Sequence, residues 1–361
     1  MKIALLGDVS LNGKFDFSNY SDALQRVEFI KKVVADCDFV IANLESPLTD
    51  KKRTAACKGA YLRSGTKSKE ILSYLGITHV TIANNHLFDY GKKGVQDTID
   101  SLNSIGIKYV GLNNSPEFLI KDNDRVIVDG FCCYSANALK YGQKIGKIKT
   151  LSHNNLQYFL GIAQQERCLP IASVHFGLEH VHYPSLEHVK LFRDLAGKYK
   201  YILHGHHPHA IQGEEMINDS ALFYSLGNLC FDDIEKTAMH EVIPQTEESL
   251  KSYIVKLDIQ GTKVVNVEKT GDFLNDHRMS AQHDIIIEEV IKYSKPLEEN
   301  IEGLDDLRKH DLILHKPKRN KSKFAFIFSR LNRRYLIAFF RGKIYAKKYN
   351  KVMKSEKENH G

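Results

Sequence analysis

The chain has 361 residues, of which 42% are hydrophobic and 26% are charged, a composition typical of a globular protein with one large or two modest domains. No run of about 18 apolar residues occurs, so we expect no membrane-spanning helix. The net charge is +7, yet residues 316–354 contain fourteen Lys or Arg and no Asp or Glu, and subtracting 14 from +7 leaves −7 elsewhere. The basic character therefore belongs to the C-terminal tail, and this segment has expected partners of its own.

Up to about residue 275, short apolar segments alternate with segments of helical periodicity. The predicted strands are Lys2–Leu6, Asp38–Ala42, Thr78–Ala83, Lys108–Val110, Arg125–Tyr134, Leu169–Val174, Lys200–Leu203, Ala221–Ser225, Ser252–Asp258 and Lys263–Lys269. The predicted helices are Ala23–Val34, Ser68–Leu75, Gly94–Ile105, Asn154–Gln165 and Ser185–Lys198. This alternation predicts an α/β fold in which helices cover central sheets. The last strands follow one another without long helices, which indicates an antiparallel portion there.

Five of the predicted strands lead directly into polar residues. These are Asp8, Asn43 and Glu45, the segment Asn84-Asn85-His86 with Asp89 after it, His175, and the stretch HGHHPHAIQG at 204–213. In α/β sheets, ligands collect at the carboxyl ends of strands, so we expect these side chains to share one rim. The last stretch is the strongest single signal, because it places four histidines within six positions of a loop that also contains Gly and Pro.

Each of these residues also has an ordinary structural explanation. Asp8 can cap a turn, and His175 can be a hydrogen-bonded core histidine. Their conjunction favours a metal site, because carboxylate, amide and imidazole groups without a thiolate suit Mn²⁺, Fe²⁺, Zn²⁺ or Mg²⁺. A carboxylate can bridge two such ions, and a bridged pair activates water and holds a phosphoryl group. His86 with Asp89 has the form of a general acid and its orienting carboxylate.

Six segments resemble, in order and spacing, the CapA/PgsA capsule-synthesis family, which looks like a branch of the calcineurin-like metallophosphoesterases. They are GDVSLNGKF, NLESPLT, ANNHLFDYG, VHFGLEHVHYPS, HGHHPHAIQGEE and YSLGNLCFD, and they cover roughly residues 1–235. The resemblance implies a four-layer α/β/β/α sandwich of the metallo-dependent phosphatase type. It also implies a role in making or anchoring an extracellular polymer, either poly-γ-glutamate or capsular polysaccharide.

The resemblance also implies site residues and a divalent metal cofactor, with one or two ions of Mn, Fe, Zn or Mg. The implied metal ligands are Asp8, Glu45, Asn85, His175, His206 and His209. The implied catalytic residue is His86, and the residue pattern makes Asp89 its orienting partner. Further candidates for substrate contact are Asn43, Glu179 and His207. Glu179, His180 and His182 share one polar segment, which either contacts substrate or forms an exposed loop.

Three positions depart from the phosphoesterase pattern. Ser10 stands where the D-x-H motif has its histidine, which weakens or deletes one metal site. The G-H-x-H motif reads Gly205 to Pro208, so the second histidine is displaced and His209 is its candidate replacement. Glu45 stands where the phosphoesterases have the Asp that bridges two metal ions, and its side chain is one methylene longer. Two hypotheses follow: a metal-dependent hydrolase acting on a polymer or lipid-linked phosphate substrate, or a non-catalytic accessory protein with a degenerate metal site.

We expect a domain over residues 1–275 and a helical, basic C-terminal extension over 276–361. Within residues 323–348, KFAFIFSRLNRRYLIAFFRGKIYAKK, apolar residues recur at helical spacing and arginines fall largely elsewhere. Residues 316–354 therefore suit either the surface of an anionic membrane or a docking site on the domain or a second subunit. No nucleic-acid recognition fold accompanies this segment, so nucleic acid is not an expected partner.

The expected location of the protein is cytoplasmic. The segment Ile3–Leu6 is shorter than the apolar region of a signal peptide, and the six cysteines show no C-x-x-C spacing. On the membrane alternative for the tail, we expect peripheral contact of a cytoplasmic protein with the inner face of the membrane. The oligomeric state stays open.

Overall fold

The computed structural model describes residues 1–55, 60–112, 116–133, 148–234, 242–274 and 283–315, together with isolated positions between 340 and 356. The strands are β1 Lys2–Val9, β2 Phe39–Leu44, β3 His79–Thr81, β4 Lys108–Val110, β5 Glu117–Lys121, β6 Asp124–Cys132, β7 Leu169–His175, β8 Ile202–His206, β9 Glu214–Ile217, β10 Ser220–Phe223, β11 Asn228–Cys230, β12 Lys251–Gln260 and β13 Lys263–Phe273. The helices are α1 Tyr20–Val34, α2 Lys69–Tyr74, α3 Gly91–Ser104, α4 His153–Gln165, α5 Leu186–Ala196, α6 His283–Glu299 and α7 Leu304–His315.

The strands form two sheets. In the first sheet the order is β13-β12-β1-β2-β3-β4. The short strand β11 pairs with the last two residues of β1, further along β1 than the residues that pair with β12. In the second the order is β5-β6-β7-β8-β10-β9. The inner strands of both sheets are parallel, whereas β12, β13, β5 and β9 join antiparallel. Parallel strands place their carboxyl ends on the same side of a sheet, and this arrangement positions the loops considered below.

Successive side chains of a strand point to opposite faces of its sheet, so one strand contributes to two different cores. In β1, Ile3 and Leu5 pack between the two sheets, whereas Ala4 and Leu6 face the outer core that α1, α2 and α3 cover. The outer face of the second sheet forms a third core with α4 and α5. Burial on both faces explains why β1 reads as an unbroken apolar run. The resulting layers are α/β/β/α, as the sequence predicts.

All ten predicted strands and all five predicted helices up to residue 275 correspond to observed elements, with ends that differ by a few residues. The predicted strand that ends at Tyr134 is observed up to Cys132, and its last residue lies outside the described part of the chain. Three observed strands are missing from the prediction. Strands β5 and β9 are short edge strands: β5 has three apolar residues between Glu117 and Lys121, and β9 begins with two glutamates. Strand β11 has only three residues.

Helices α6 and α7 lie in the predicted C-terminal extension. Ile286 and Val290 of α6 pack into the core between the sheets, and Leu304 of α7 packs into the core beside α5. The described start of the extension is therefore part of the packed body, while the boundary at residue 275 stays a prediction. The proposed amphipathic segment at 323–348 lies outside the described residues, apart from isolated positions. Where the chain is described, none of its helices has the length and apolar content needed to cross a bilayer.

Candidate metal centre

The candidate site lies where the carboxyl ends of parallel strands from both sheets meet. Asp8 in β1 pairs with Asn43 of β2 and with Asn228 of β11, so three polar side chains occupy neighbouring positions in the first sheet. In the second sheet, His175 at the end of β7 pairs with His206 at the end of β8. All five residues are fully buried. Strand pairing thus delivers carboxylate, amide and imidazole groups to one buried region.

Asp8 is surrounded by groups that hold its carboxylate in place. Asn43 Nδ2 donates to Asp8 Oδ1 at 2.6 Å, and the backbone N–H of His207 donates to Oδ2 at 3.1 Å. His209 Nδ1 lies 3.6 Å from Oδ2, and His206 Nδ1 lies 4.0 Å from Oδ1. Burial raises the pKa of Asp8, and the charge of His209 together with these hydrogen bonds opposes the rise.

Glu45, directly after β2, is the second buried carboxylate. Its Oε1 atom lies 3.5 Å from His209 Nε2, 3.8 Å from His86 Nε2 and 4.0 Å from His175 Nε2. Three imidazoles from three different loops and strands therefore approach one oxygen. The ring of His209 stands between the two carboxylates, with one nitrogen towards Asp8 and the other towards Glu45.

Three overlapping groups of described residues have ligand atoms close enough to share a metal ion. They are Asp8, His175 and His206; Glu45, His175 and His207; and Asp8, Glu45 and His209. Within each group the ligand atoms lie within 4.8 Å of one another. Asn85 adds an amide oxygen, because its Oδ1 is 3.3 Å from His175 Nε2. We call the six residues of the three groups the histidine cluster.

Burial sets the charge of most of these imidazoles. It lowers the pKa of His175 and His206 well below the usual range and that of His207 to about 3. Burial also acts on His209, but the two carboxylates, Glu45 foremost, outweigh it and raise the pKa to about 9. His209 is thus the positive group between the carboxylates. The other three rings are neutral, which is the form in which imidazole binds a metal.

His86 stands beside the cluster and is oriented from behind. Its Nδ1 lies 2.7 Å from Asp89 Oδ2, and that oxygen also accepts from the backbone N–H of Leu62 at 2.9 Å. The backbone N–H of His86 donates to Asn84 Oδ1 at 3.1 Å. These contacts direct Nε2 of the ring towards Glu45, so a carboxylate fixes one nitrogen while the other faces the cluster.

The loop after β8 carries two ligand candidates in an unusual backbone conformation. His207 has φ 103° and His209 has φ 53°, values that non-glycine residues adopt at a cost of about 1–3 kcal/mol. Two contacts hold the loop: the His207 N–H bond to Asp8, and a 2.8 Å contact between His209 Nδ1 and Asn228 Oδ1. His207 Nδ1 is buried without a hydrogen-bond partner among the described residues.

The structure brings the six implied metal ligands and the pair His86 and Asp89 into one region. The three candidates for substrate contact are placed differently from one another. Asn43 is fully buried and supports Asp8, and His207 belongs to a ligand group. Glu179 keeps exposed surface. The protein atoms around Glu179 partly desolvate its carboxylate and so raise its pKa, but the nearby His207 and His209 outweigh this effect and lower the pKa.

Three supporting residues are absent from the predicted site residues. Asn84 Nδ2 donates to Asn43 Oδ1 at 3.2 Å, which continues the hydrogen-bond chain behind Asp8. Asn228 holds His209, and Ser173 Oγ lies 3.2 Å from His206 Nε2. Asn228 falls inside the segment YSLGNLCFD, so a signal for it was present. Ser173 is an inward-facing residue of an apolar strand, and its sequence neighbours give no sign of its role.

The two-sheet α/β/β/α sandwich, with carboxylate, amide and imidazole groups at the ends of its parallel strands, defines a layered α/β protein with a candidate metal site. Within that class, the chain belongs to the bacterial capsule synthesis protein family PGA_cap, whose sequence profile matches residues 2–233. The family assignment agrees with the resemblance that the six sequence segments indicate.

Two curated relatives are similar to this chain. The capsule biosynthesis protein CapA of Bacillus anthracis is 28% identical over 217 residues, which are 56% of this chain and 53% of the relative. The PGA biosynthesis protein CapA of Bacillus subtilis (strain 168) is 25% identical over 213 residues, 57% of this chain and 56% of the relative. The chain thus spans about half the length of these relatives. A solved 5'-nucleotidase precursor from Thermus thermophilus aligns with a TM-score of 0.46 and 11% identity, covering 82% of this chain and 59% of that one.

Proposed function

We propose that the protein is a metal-dependent hydrolase of the phosphoesterase type. Its substrate is a polymer or lipid-linked phosphate in the biosynthesis of capsule, exopolysaccharide or poly-γ-glutamate. The observation that carries the proposal is the convergence of Asp8, Glu45 and four histidines in one buried cluster. Family membership and the names of the two relatives support the biosynthetic context.

The residues of the cluster fit one or two divalent cations. Two fully buried carboxylates lie on either side of His209, and buried charge requires compensation by an opposite charge. Carboxylate oxygens and imidazoles, with no thiolate in any of the three groups, match Mn²⁺, Fe²⁺, Zn²⁺ or Mg²⁺. His209 would give up its proton on binding, because the cation would then compensate the two carboxylates in its place. The buried Nδ1 of His207 offers a further donor atom. A bound cation would polarise a phosphoryl oxygen and activate water.

The chain's own residues supply proton transfer and orientation. Asp89 fixes the tautomer of His86 through the 2.7 Å contact and stabilises its protonated form. His86 Nε2 faces the cluster, so it is placed to donate a proton to the oxygen of a leaving group. Asn43 and the backbone of His207 keep Asp8 in one orientation.

Metal analysis and hydrolysis of a generic phosphodiester test this proposal. Purified wild-type protein from metal-replete medium is expected to contain metal by inductively coupled plasma mass spectrometry and to hydrolyse bis(p-nitrophenyl) phosphate. His86→Ala should retain the metal and lose about 10²- to 10⁴-fold in kcat, because it removes only the general acid. His310→Ala changes an exposed histidine of α7 and serves as the control. Metal-free wild-type protein, or full activity of the His86 variant, would contradict the proposal.

A second candidate function is that of a non-catalytic accessory protein of polymer synthesis, whose metal site stabilises the fold or binds polymer. Ser10 favours it, because this residue stands where the phosphoesterase pattern has an imidazole ligand, and its hydroxyl instead donates to Asn12 Oδ1 at 2.8 Å. This alternative predicts that metal is present while wild type and the His86 variant are equally inactive on phosphodiesters.

A further inference from the structure

The segment after β7 borders the histidine cluster and is fastened at several points. We call residues 177–183 the β7 loop. The backbone N–H of His180 donates to Pro208 O at 2.7 Å, and Gln212 Nε2 donates to Val181 O at 2.8 Å. The ring of His180 lies 6.3 Å from that of His209. The β7 loop thus brings His180 and the exposed Glu179 next to the loop that carries the ligand candidates.

The far end of the β7 loop is tied to the C-terminal helix α7 through His182. The backbone N–H of His182 donates to Asp311 Oδ2 at 2.6 Å, and its Nδ1 lies 3.1 Å from Asp311 Oδ1. Its Nε2 lies 3.1 Å from Glu248 Oε2. Ionised carboxylates only accept hydrogen bonds, so a ring with carboxylates at both nitrogens is an imidazolium. Burial lowers the pKa of His182, but the two carboxylates outweigh it and raise the pKa to about 9.

Groups from several elements complete this buried network. Lys251 Nζ of β12 contacts Glu248 at 3.1 Å and Glu289 of α6 at 2.8 Å, and the ring of Tyr293 stacks on His182 at 4.7 Å. Desolvation offsets much of the attraction in a buried ion pair, whereas its charge-assisted hydrogen bonds fix the orientation of the paired groups. Asp311 contacts both the main chain and the ring of His182, and therefore fixes the path of the β7 loop.

We propose that Asp311 is a positioning residue of the candidate site: through His182 it holds the β7 loop so that Glu179 and His180 stand beside the histidine cluster, where His180 contacts a bound phosphate group and Glu179 contacts the substituent of that group. The assignment of a phosphate ligand rests on the proposed function. The positioning of the β7 loop does not, because it follows from contacts between α7 and the loop.

Local hydrogen exchange and phosphate binding test this role. Asp311→Asn keeps the shape of the side chain and removes its charge, and Asp306→Asn changes an exposed carboxylate of the same helix as a matched control. We expect amide exchange in residues 177–183 to become about tenfold faster in Asp311→Asn, since a hydrogen bond to a charged group is lost. Inorganic phosphate should bind the metal-loaded variant about tenfold more weakly by calorimetry, with unchanged metal content. Asp311→Glu should recover part of both effects.

Two further results separate positioning from general stability. His182→Gln removes the ring contacts to Asp311 and Glu248 but keeps the backbone N–H bond to Asp311, so it should give a smaller increase in exchange confined to the same residues, which keeps the test decisive if Asp311→Asn folds poorly. Unchanged exchange in the β7 loop, or a uniform increase that includes β1 and β7, would overturn the proposal. If purified wild-type protein contains no metal, the proposed function is wrong. Hydrogen exchange in the β7 loop can still be measured on that metal-free protein, and it decides the role of Asp311.

Discussion

At the scale of single residues, Glu45 is the position on which the candidate site depends most. The imidazoles of His86, His175 and His209 all lie within 4.0 Å of one of its oxygens. Glu45 also belongs to two of the three ligand groups. A carboxylate at such a crossing can serve two ions, which is the role that the sequence resemblance assigns to it. The extra methylene relative to Asp does not prevent this convergence.

Replacing Glu45 by Gln should remove a charge from the cluster while preserving its volume. We expect the metal content of purified Glu45→Gln to fall by more than half relative to wild type, because two ligand groups lose their shared carboxylate. Inductively coupled plasma mass spectrometry measures the change. Glu70→Gln, an exposed position in α2, is the matched control and should bind as much metal as wild type. Equal metal content in Glu45→Gln and wild type would show that Glu45 is not a ligand.

At the scale of elements, β8 shows how a strand and its following loop deliver ligands. Gly205 lies inside β8 between two histidines, where a Cβ atom would collide with the carbonyl oxygen of Tyr224. The glycine therefore permits close approach of β8 to the chain beyond β10. His204, just before it, contacts the carbonyl oxygen of Leu6 at 2.7 Å and bridges the sheets rather than joining the ligand groups.

Gly205→Ala should destabilise the protein because backbone, which cannot yield easily, occupies the space of the new methyl group. We expect the free energy of unfolding to fall by about 1–3 kcal/mol, as for other overpacked sites. Gly161→Ala is the matched comparison, since this glycine lies in α4 with open space around its Cβ direction. Alanine there should raise the free energy of unfolding by about 0.5–1 kcal/mol. Urea titration followed by circular dichroism distinguishes the two, and equal effects would contradict the packing argument.

At the scale of the whole molecule, the C-terminal helices close the body around a buried ionic network. Helix α6 packs on the edge of both sheets, and α7 supplies Asp311 to His182, so residues more than a hundred positions apart share one proton-binding centre. The contact between His182 and Glu248 shifts the pKa of both residues. Hydrogen bonds from His182 and Lys251 lower the pKa of Glu248 to about 2, against the effect of burial.

This network predicts a pH dependence of stability with a definite sign. The pKa of His182 is about 9 in the folded chain, and the ordinary value of 6.5 applies to the unfolded chain. Between pH 6.5 and about 9, His182 is therefore protonated in the folded protein and neutral in the unfolded chain. The stabilisation is complete below pH 6.5 and disappears as the pH rises to about 9. Urea unfolding from pH 6 to about 10 should show this decline in wild type and a smaller one in His182→Gln. Parallel curves would exclude His182 as the titrating group.

Many residues of the candidate site can be predicted from the sequence alone. Strand ends that lead into polar residues single out Asp8, Glu45, His175 and the histidines of HGHHPHAIQG, because ligands of α/β sheets gather at carboxyl ends. The three departures from the phosphoesterase pattern are equally visible. His209, the candidate replacement for the displaced histidine, lies between Asp8 and Glu45, and its role as a ligand stays a prediction.

The order of strands and helices, the layered α/β class and the residue types of the site are determined by the sequence itself, since periodicity and strand-end chemistry are local properties. Which side chains face one another is not local. Only the tertiary structure decided that Asn43 supports Asp8 and that His182 is buried against Asp311. It also decided that the backbone of His207, with its positive φ, places this side chain among the metal-ligand candidates. Each of these depends on sheet register and helix docking, which join distant parts of the chain through packing that no short stretch of sequence encodes.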